Sequence, residues 1–366
     1  MKRIRAFFCL MLWGMMLWAA PARALKNVEI PEDAAEIRLE VRSLNAADAR
    51  ELAALLQERP ALRRVDLTSA AVLTSTARVL MEACPDIDFH LTLDLYGGIT
   101  LDNTLTSLDM DATRSKNKTQ LSRRLKMDDL RTMLDCMPNL TEVVMADARH
   151  SLAEMEALIA DYPQIRFTWT VRYNGMTFRP GATAYSTLKG RQDPRYKAED
   201  LALVEKYCPD LLALDVGHND VSDLSFLKAW PGLRRLIVVD SKTPVTDLSP
   251  LAELDDLEYV ELFMQNITDL SPLAGKTKLL DLNLCHNDIT DLTPLYSCVN
   301  LERLWISVNP HLTEEEIDRF REALPNCQVE TKEWQSTGAG WRTHPRYFIM
   351  YDSFVSGVYV PFDTAK

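Results

Sequence analysis

Leu211-Leu-Ala-Leu214-Asp-Val216, Leu233-Arg-Arg-Leu236-Ile-Val238, Leu257-Glu-Tyr-Val260-Glu-Leu262, Leu279-Leu-Asp-Leu282-Asn-Leu284 and Leu301-Glu-Arg-Leu304-Trp-Ile306 are one phrase repeated five times: a leucine, two free residues, an apolar residue, one free residue, another apolar residue. The phrases start 22, 24, 22 and 22 residues apart. A fixed period in the twenties with this pattern makes each phrase a short strand of a solenoid. One unit cannot bury its own apolar face, so it stacks on the next.

A polar residue stands eight places after the first leucine of four phrases: Asn219, Gln265, Asn287 and Asn309. A side-chain amide there can bond the turning backbone of neighbouring coils, which a buried bend otherwise leaves unpaired. The second phrase has no such amide, and two extra residues fall around Ser241-Lys-Thr-Pro244. The returns read Val221-Ser-Asp-Leu224-Ser-Phe-Leu227, Val245-Thr-Asp-Leu248-Ser-Pro-Leu251, Ile267-Thr-Asp-Leu270-Ser-Pro-Leu273 and Ile289-Thr-Asp-Leu292-Thr-Pro-Leu295. Proline suits a short 3₁₀ turn better than a full helix.

This return resembles that of the internalin-like, 22-residue class of bacterial leucine-rich repeats, over residues 211–329. A wider resemblance, to exported repeat proteins of Firmicutes, rests on Phe167-Thr-Trp-Thr-Val, Ala182-Thr-Ala-Tyr-Ser-Thr187, Asp193-Pro-Arg-Tyr196, Leu304-Trp-Ile-Ser307 and Ser336-Thr-Gly-Ala-Gly-Trp-Arg342. It implies the repeat fold and adds almost nothing on function.

The array extends towards the N-terminus. Ile37-Arg-Leu39-Glu-Val41 alternates like a capping strand, and Asn45 to Glu58 carries apolar residues at helical spacing. Pro60 ends that helix and Leu62-Arg-Arg-Val65-Asp-Leu67 repeats the phrase. The same helix, proline, phrase order recurs at Pro138 and Pro209. Proline stops a helix and starts an extended segment. Two further stretches, Pro85–Thr100 and Pro163–Thr177, alternate, turn at Gly-Gly or Asn-Gly, and alternate again. That pattern predicts two β-hairpins, either projecting as a lip for a ligand or lengthening the sheet.

The predicted fold class is therefore α/β: a leucine-rich repeat solenoid with a curved parallel sheet, helical or 3₁₀ returns, two β-hairpin insertions and a C-terminal cap. The predicted segments are a signal peptide (1–24), irregular repeats with hairpins (25–210), regular 22-residue repeats (211–330) and an aromatic C-terminal tail (331–366). The tail holds Trp334, Trp341, Tyr347, Phe348, Tyr351, Phe354, Tyr359 and Phe362, and the expected role is to cover the last coil.

Lys2, Arg3 and Arg5, the apolar run Ala6–Ala20 and Pro21-Ala22-Arg23-Ala24 have the three parts of a secretory signal peptide, cleaved near Ala24. Residues 6–20 are short for a membrane span of about twenty. The mature chain is thus expected to be secreted, extracellular or associated with the cell surface, without a membrane span. Cleavage takes the net charge from −12 to −16, since residues 1–24 carry four cations and no acid. Such a balance disfavours nucleic acid as a partner. Two basic loops, Ala112–Lys126 and Lys189–Lys197, stand against it and read as solvated loops. Cys84, Cys136, Cys208, Cys285, Cys298 and Cys327 lack stacked partners in adjacent units, and read as small buried hydrophobes rather than disulfides.

Motifs for hydrolase, phosphate-loop, zinc-protease or dithiol chemistry are missing. The expectation is no catalysis, no cofactor and no metal. Alternate strand residues face outward, so the free places of the phrases are predicted to line the concave sheet and meet water. Among them Arg235, Ile237, Tyr259, Glu261, Phe263, Asn283, Arg303 and Trp305 combine aromatic and charged groups as a binding hot spot does. The reading is an exported, non-catalytic binding scaffold that recognises a protein or glycan ligand through this face. The alternative is a structural, envelope-associated protein without a discrete ligand site, with the tail or a hairpin lying on these residues.

Overall fold

The computed structural model describes residues 30–41, 43–95, 98–189 and 195–362. The signal-peptide segment and most of the loop 189–197 lie outside the described residues. By contact density the chain forms two compact units, one ending at Thr170 and one running from Val171 onwards.

The first unit alternates strands and helices: β1 (Glu36–Arg38), α1 (Ala46–Gln57), β2 (Arg64–Leu73), α2 (Thr74–Ala83), β3 (Asp88–Asp94), β4 (Thr100–Asp102), β5 (Ser107–Asp109), α3 (Met127–Asp135), β6 (Glu142–Val144), α4 (Leu152–Asp161) and β7 (Arg166–Thr168). β1, β2 and β3 are parallel, β4 turns back antiparallel on β3, and β5, β6 and β7 form a second parallel sheet. α1 starts where the sequence predicts, because Asn45 accepts from the amides of Ala47 and Asp48 while Asp48 bonds back to Asn45. In the first hairpin the outgoing strand β3 is itself an array strand, paired with β2 on its other side.

The second unit contains β8 (Val171–Tyr173) and β9 (Met176–Phe178), a hairpin turning at Asn174-Gly175, both with positive φ. Then follow β10 (Ala184–Ser186), α5 (Ala202–Tyr207), β11 (Ala213–Asp215), β12 (Arg235–Ile237), β13 (Tyr259–Glu261), β14 (Asp281–Asn283), β15 (Arg303–Trp305), α6 (Glu314–Ala323), β16 (Gln328–Glu330) and α7 (Pro345–Ser356). β10 to β16 form one parallel seven-stranded sheet in sequence order. The returns between β11 and β15 contain 3₁₀ turns at Ser225–Ala229, Ser249–Leu251, Ser271–Leu273 and Thr293–Ser297.

The repeat letters each have a physical role. Leu214, Leu236, Val260, Leu282 and Leu304 are fully buried, and so are Leu227, Leu251, Leu273 and Leu295 of the returns. Each contributes about 1.5–3 kcal/mol by leaving water. The aspartate of every return (Asp223, Asp247, Asp269, Asp291) accepts from the backbone amide two residues on, at 2.8 Å, and so starts the 3₁₀ turn. The amide ladder works as predicted. Asn287 Nδ2 donates to Leu262 O and Leu284 O, and its Oδ1 accepts from Ile267 N. In the unit without an amide, Gln265 Nε2 reaches back to Ser241 Oγ and Val238 O. His218, Asp240, Met264, His286 and Val308, each in the same repeat place, all have positive φ. The bend that brings the ladder inward therefore holds even a β-branched residue in the left-handed region.

All six cysteines of the described residues are free, and five are buried. Cys84, Cys136, Cys208 and Cys298 donate to backbone carbonyls of earlier coils. Burial pushes the Cys136 thiol up to about 12 and the Cys208 and Cys285 thiols up to about 11, so these sulfurs stay thiols.

Asn287→Ala orphans the Ile267 amide and the Leu262 carbonyl inside the ladder, while Leu284 O keeps Asn309 Nδ2. The expected loss is about 2–4 kcal/mol in denaturant unfolding, whereas exposed Asn300→Ala, which removes one surface bond to Thr277 O, should cost well under half of that.

Candidate binding face and its C-terminal cover

The parallel register brings the predicted residues together. Across β11 to β15 it aligns Ala213, Arg235, Tyr259, Asp281 and Arg303 in one row, and Asp215, Ile237, Glu261, Asn283 and Trp305 in the next. Arg235, Ile237, Tyr259, Glu261, Phe263, Asn283, Arg303 and Trp305 all lie on the face opposite the leucines. Their exposure to water, expected from the sequence, is corrected by the structure: every one is buried, with Tyr259 at 0% and Ile237, the most open, at 7%.

The chain's own C-terminal segment covers them. It lies across the sheet face instead of over the last coil, from β15 back to β10. Tyr259, Phe263 and Trp305 pack with Trp341, Met350 and Phe362 in one apolar cluster. The Trp305 and Trp341 ring centroids are 5.1 Å apart. Aromatic residues placed at outward positions have aromatic partners in the tail, which is why they leave water.

Side-chain donors of the face hold the segment by its backbone. Asn283 Nδ2 donates to Ser336 O (2.7 Å), Trp305 Nε1 to Gly338 O (3.1 Å), Arg303 Nη1 to Trp341 O (3.4 Å), Arg235 Nη2 to Val360 O (2.5 Å) and His286 Nε2 lies 2.8 Å from Trp334 O. At the far edge the amides of Thr183 and Ala184, at the start of β10, donate to Gly357 O. The Arg235 guanidinium stacks over the Phe362 ring at 3.7 Å and the Tyr359 ring at 4.3 Å.

Two residues outside the predicted set are central. Asp281, fully buried, pairs with Arg303 Nε at 2.6 Å and takes Arg346 Nε and Nη2 from α7 at 2.6 and 2.9 Å. Arg346 also reaches Glu302. The signal for Asp281 was present in its row, beside Arg303. The partner Arg346 is separated by 65 residues and carries no repeat pattern.

A cavity of about 220 Å³ remains between the sheet and α7, and its wall includes Asp215, His218, Ile237, Val239 and Glu261 from the sheet side. Glu261 Oε1 accepts from Tyr259 OH and from Trp341 Nε1. Asp215 Oδ1 accepts from Gly217 N, and Oδ2 from Ser186 Oγ. Burial pushes both carboxyls above the ordinary range, and these hydrogen bonds pull them part of the way back.

Arg346→Leu leaves buried Asp281 with one arginine. It is expected to cost about 3 kcal/mol and to make Trp341 accessible to acrylamide quenching; quenching equal to wild type would mean that this pair does not hold the cover. A second expectation concerns pH. A carboxyl raised in the folded chain binds its proton more tightly there than in the unfolded chain. Its stabilisation is full below about pH 4 and is lost as pH rises through the folded value. The double variant Asp215→Asn, Glu261→Gln removes that loss. Its Tm relative to wild type should rise between about pH 4 and pH 8, and a flat or falling difference would speak against two uncompensated buried acids.

No family model matches the chain, and no curated protein matches it in sequence. Among solved structures it is similar to internalin C2 from Listeria monocytogenes (25% identity, 37% of this chain and 70% of that one, TM-score 0.29). It is also similar to another internalin (inlF) of the same organism (14%, 84% and 85%, TM-score 0.30) and to a leucine-rich repeat protein from Leptospira interrogans (14%, 80% and 81%, TM-score 0.28). The fold stands on the chain's own features: seven parallel strands in register, short helical or 3₁₀ returns and the amide ladder make it a leucine-rich repeat solenoid.

Proposed function

We propose that the chain is an exported, non-catalytic binding scaffold that recognises its ligand through the concave face of the β10–β16 sheet, with Arg235, Ile237, Tyr259, Glu261, Phe263, Asn283, Arg303 and Trp305 as contact residues. One observation carries the reading. Donors on this face already grip an aromatic polypeptide by its carbonyls at Ser336, Gly338, Trp341 and Val360. Backbone acceptors are common to every polypeptide, so of a protein and a glycan the protein fits this chemistry better. The C-terminal segment is then the resident occupant, and a ligand segment of similar make-up competes with it. Export is taken from the N-terminal leader-like sequence, and secretion or surface association follows from it.

Exchange in trans tests the reading on the full-length chain. A labelled synthetic peptide of residues 331–362 should bind Arg346→Leu saturably, and bind wild type more weakly because its own segment is held by Asp281. Adding Trp305→Phe, which deletes the donor to Gly338 O, should weaken the peptide by about tenfold. Failure of the peptide to bind the loosened variant would leave the face a sealed core and favour the structural, envelope-associated reading.

A further inference from the structure

The space beside α7 has a chemistry of its own. Two acids form part of its wall, Asp215 and Glu261, each 2% exposed. Neither makes an ion pair among the described residues. Both hydrogen bonds to Glu261 fall on Oε1, so Oε2 has no partner among the described residues and belongs to a side chain bordering the cavity. The opposite wall is apolar and aromatic, with Met350, Phe354 and the rings of Tyr347 and Tyr351. Two basic side chains share the wall: Arg342, exposed at the surface, acts on both acids only through space, and His218, which also acts on Asp215 through space, has its Nδ1 3.0 Å from Asp240 Oδ2.

We infer that this cavity is a binding site for a small organic cation, a primary ammonium group on a short apolar stem. Two buried carboxylates facing one surface arginine and a histidine already paired with Asp240 leave an excess of negative charge, and an uncompensated buried charge is costly. A ligand ammonium supplies the missing charge and donates to Glu261 Oε2. Tyrosine rings add cation–π attraction, and the apolar wall takes the stem. The volume, about 220 Å³, exceeds the roughly 150 Å³ that admits benzene in a dry engineered cavity. An anion is repelled by the same acids, and a neutral apolar molecule leaves them uncompensated. The site uses the C-terminal segment in place, so it stands or falls separately from the exchange of that segment for a polypeptide.

Calorimetric titration of the full-length chain at neutral pH with phenethylamine, against 2-phenylethanol as the uncharged control, tests the site. The amine is expected to bind saturably and at least about tenfold tighter than the alcohol, which is about 1.4 kcal/mol. Glu261→Gln keeps an oxygen for Tyr259 and Trp341 to donate to; it should erase the preference while alcohol binding stays. Val355→Trp, at the half-exposed rim of the cavity, should block both molecules without touching either acid. Thermal unfolding of each variant checks that it folds, and if Glu261→Gln does not, the rim variant carries the test. Equal binding of amine and alcohol, binding of neither, or amine binding that survives the rim variant would each overturn the assignment.

Discussion

A strand of three residues cannot hold itself together. The seven strands β10 to β16 persist because each passes its hydrogen bonds to the next in strict parallel register. Everything else follows from that register. It stacks the leucines into one continuous core and lines up the amide ladder, so that Asn287 and Asn309 bridge successive coils. It also places unlike residues in rows on the opposite face, where their chemistry is combined. Asp281 beside Arg303 is the clearest case, since neighbouring strands bring the two side chains to 2.6 Å.

That opposite face shows how a solenoid can be completed by its own chain. A face holding Tyr259, Ile237 and Trp305 is too apolar to remain wet, and the C-terminal segment supplies the matching rings. The buried polar groups of the face then need partners, since a buried charge or donor without one is destabilising. Arg346 answers Asp281, and backbone carbonyls answer Arg235, Asn283 and Trp305. The match is incomplete near β11 and β13, where Asp215 and Glu261 border a cavity and form no ion pair among the described residues.

The leucine phrase, the 22-residue period, the return turns and the amide ladder were legible in the sequence because each is local or repeats at fixed spacing. The helix starting after Asn45, the Asn174-Gly175 turn and the unpaired cysteines were legible for the same reason. The candidate face was legible in membership: all eight residues lie where the alternation predicts. Its exposure was not. Nothing in the repeat pattern says what lies over a sheet, and the sequence pointed to the aromatic tail as a cover for the last coil.

The sequence by itself determined the solenoid, the rows of residues on each face and the chemistry those rows carry, because period and alternation convert directly into register. Only the tertiary structure decided that Trp341, Arg346 and Phe362 fold back over Tyr259, Asp281 and Arg235. Such contacts join residues 65 to 127 positions apart with no period to announce them. They form because the buried face and the tail each carry apolar rings and polar groups for which the other supplies partners.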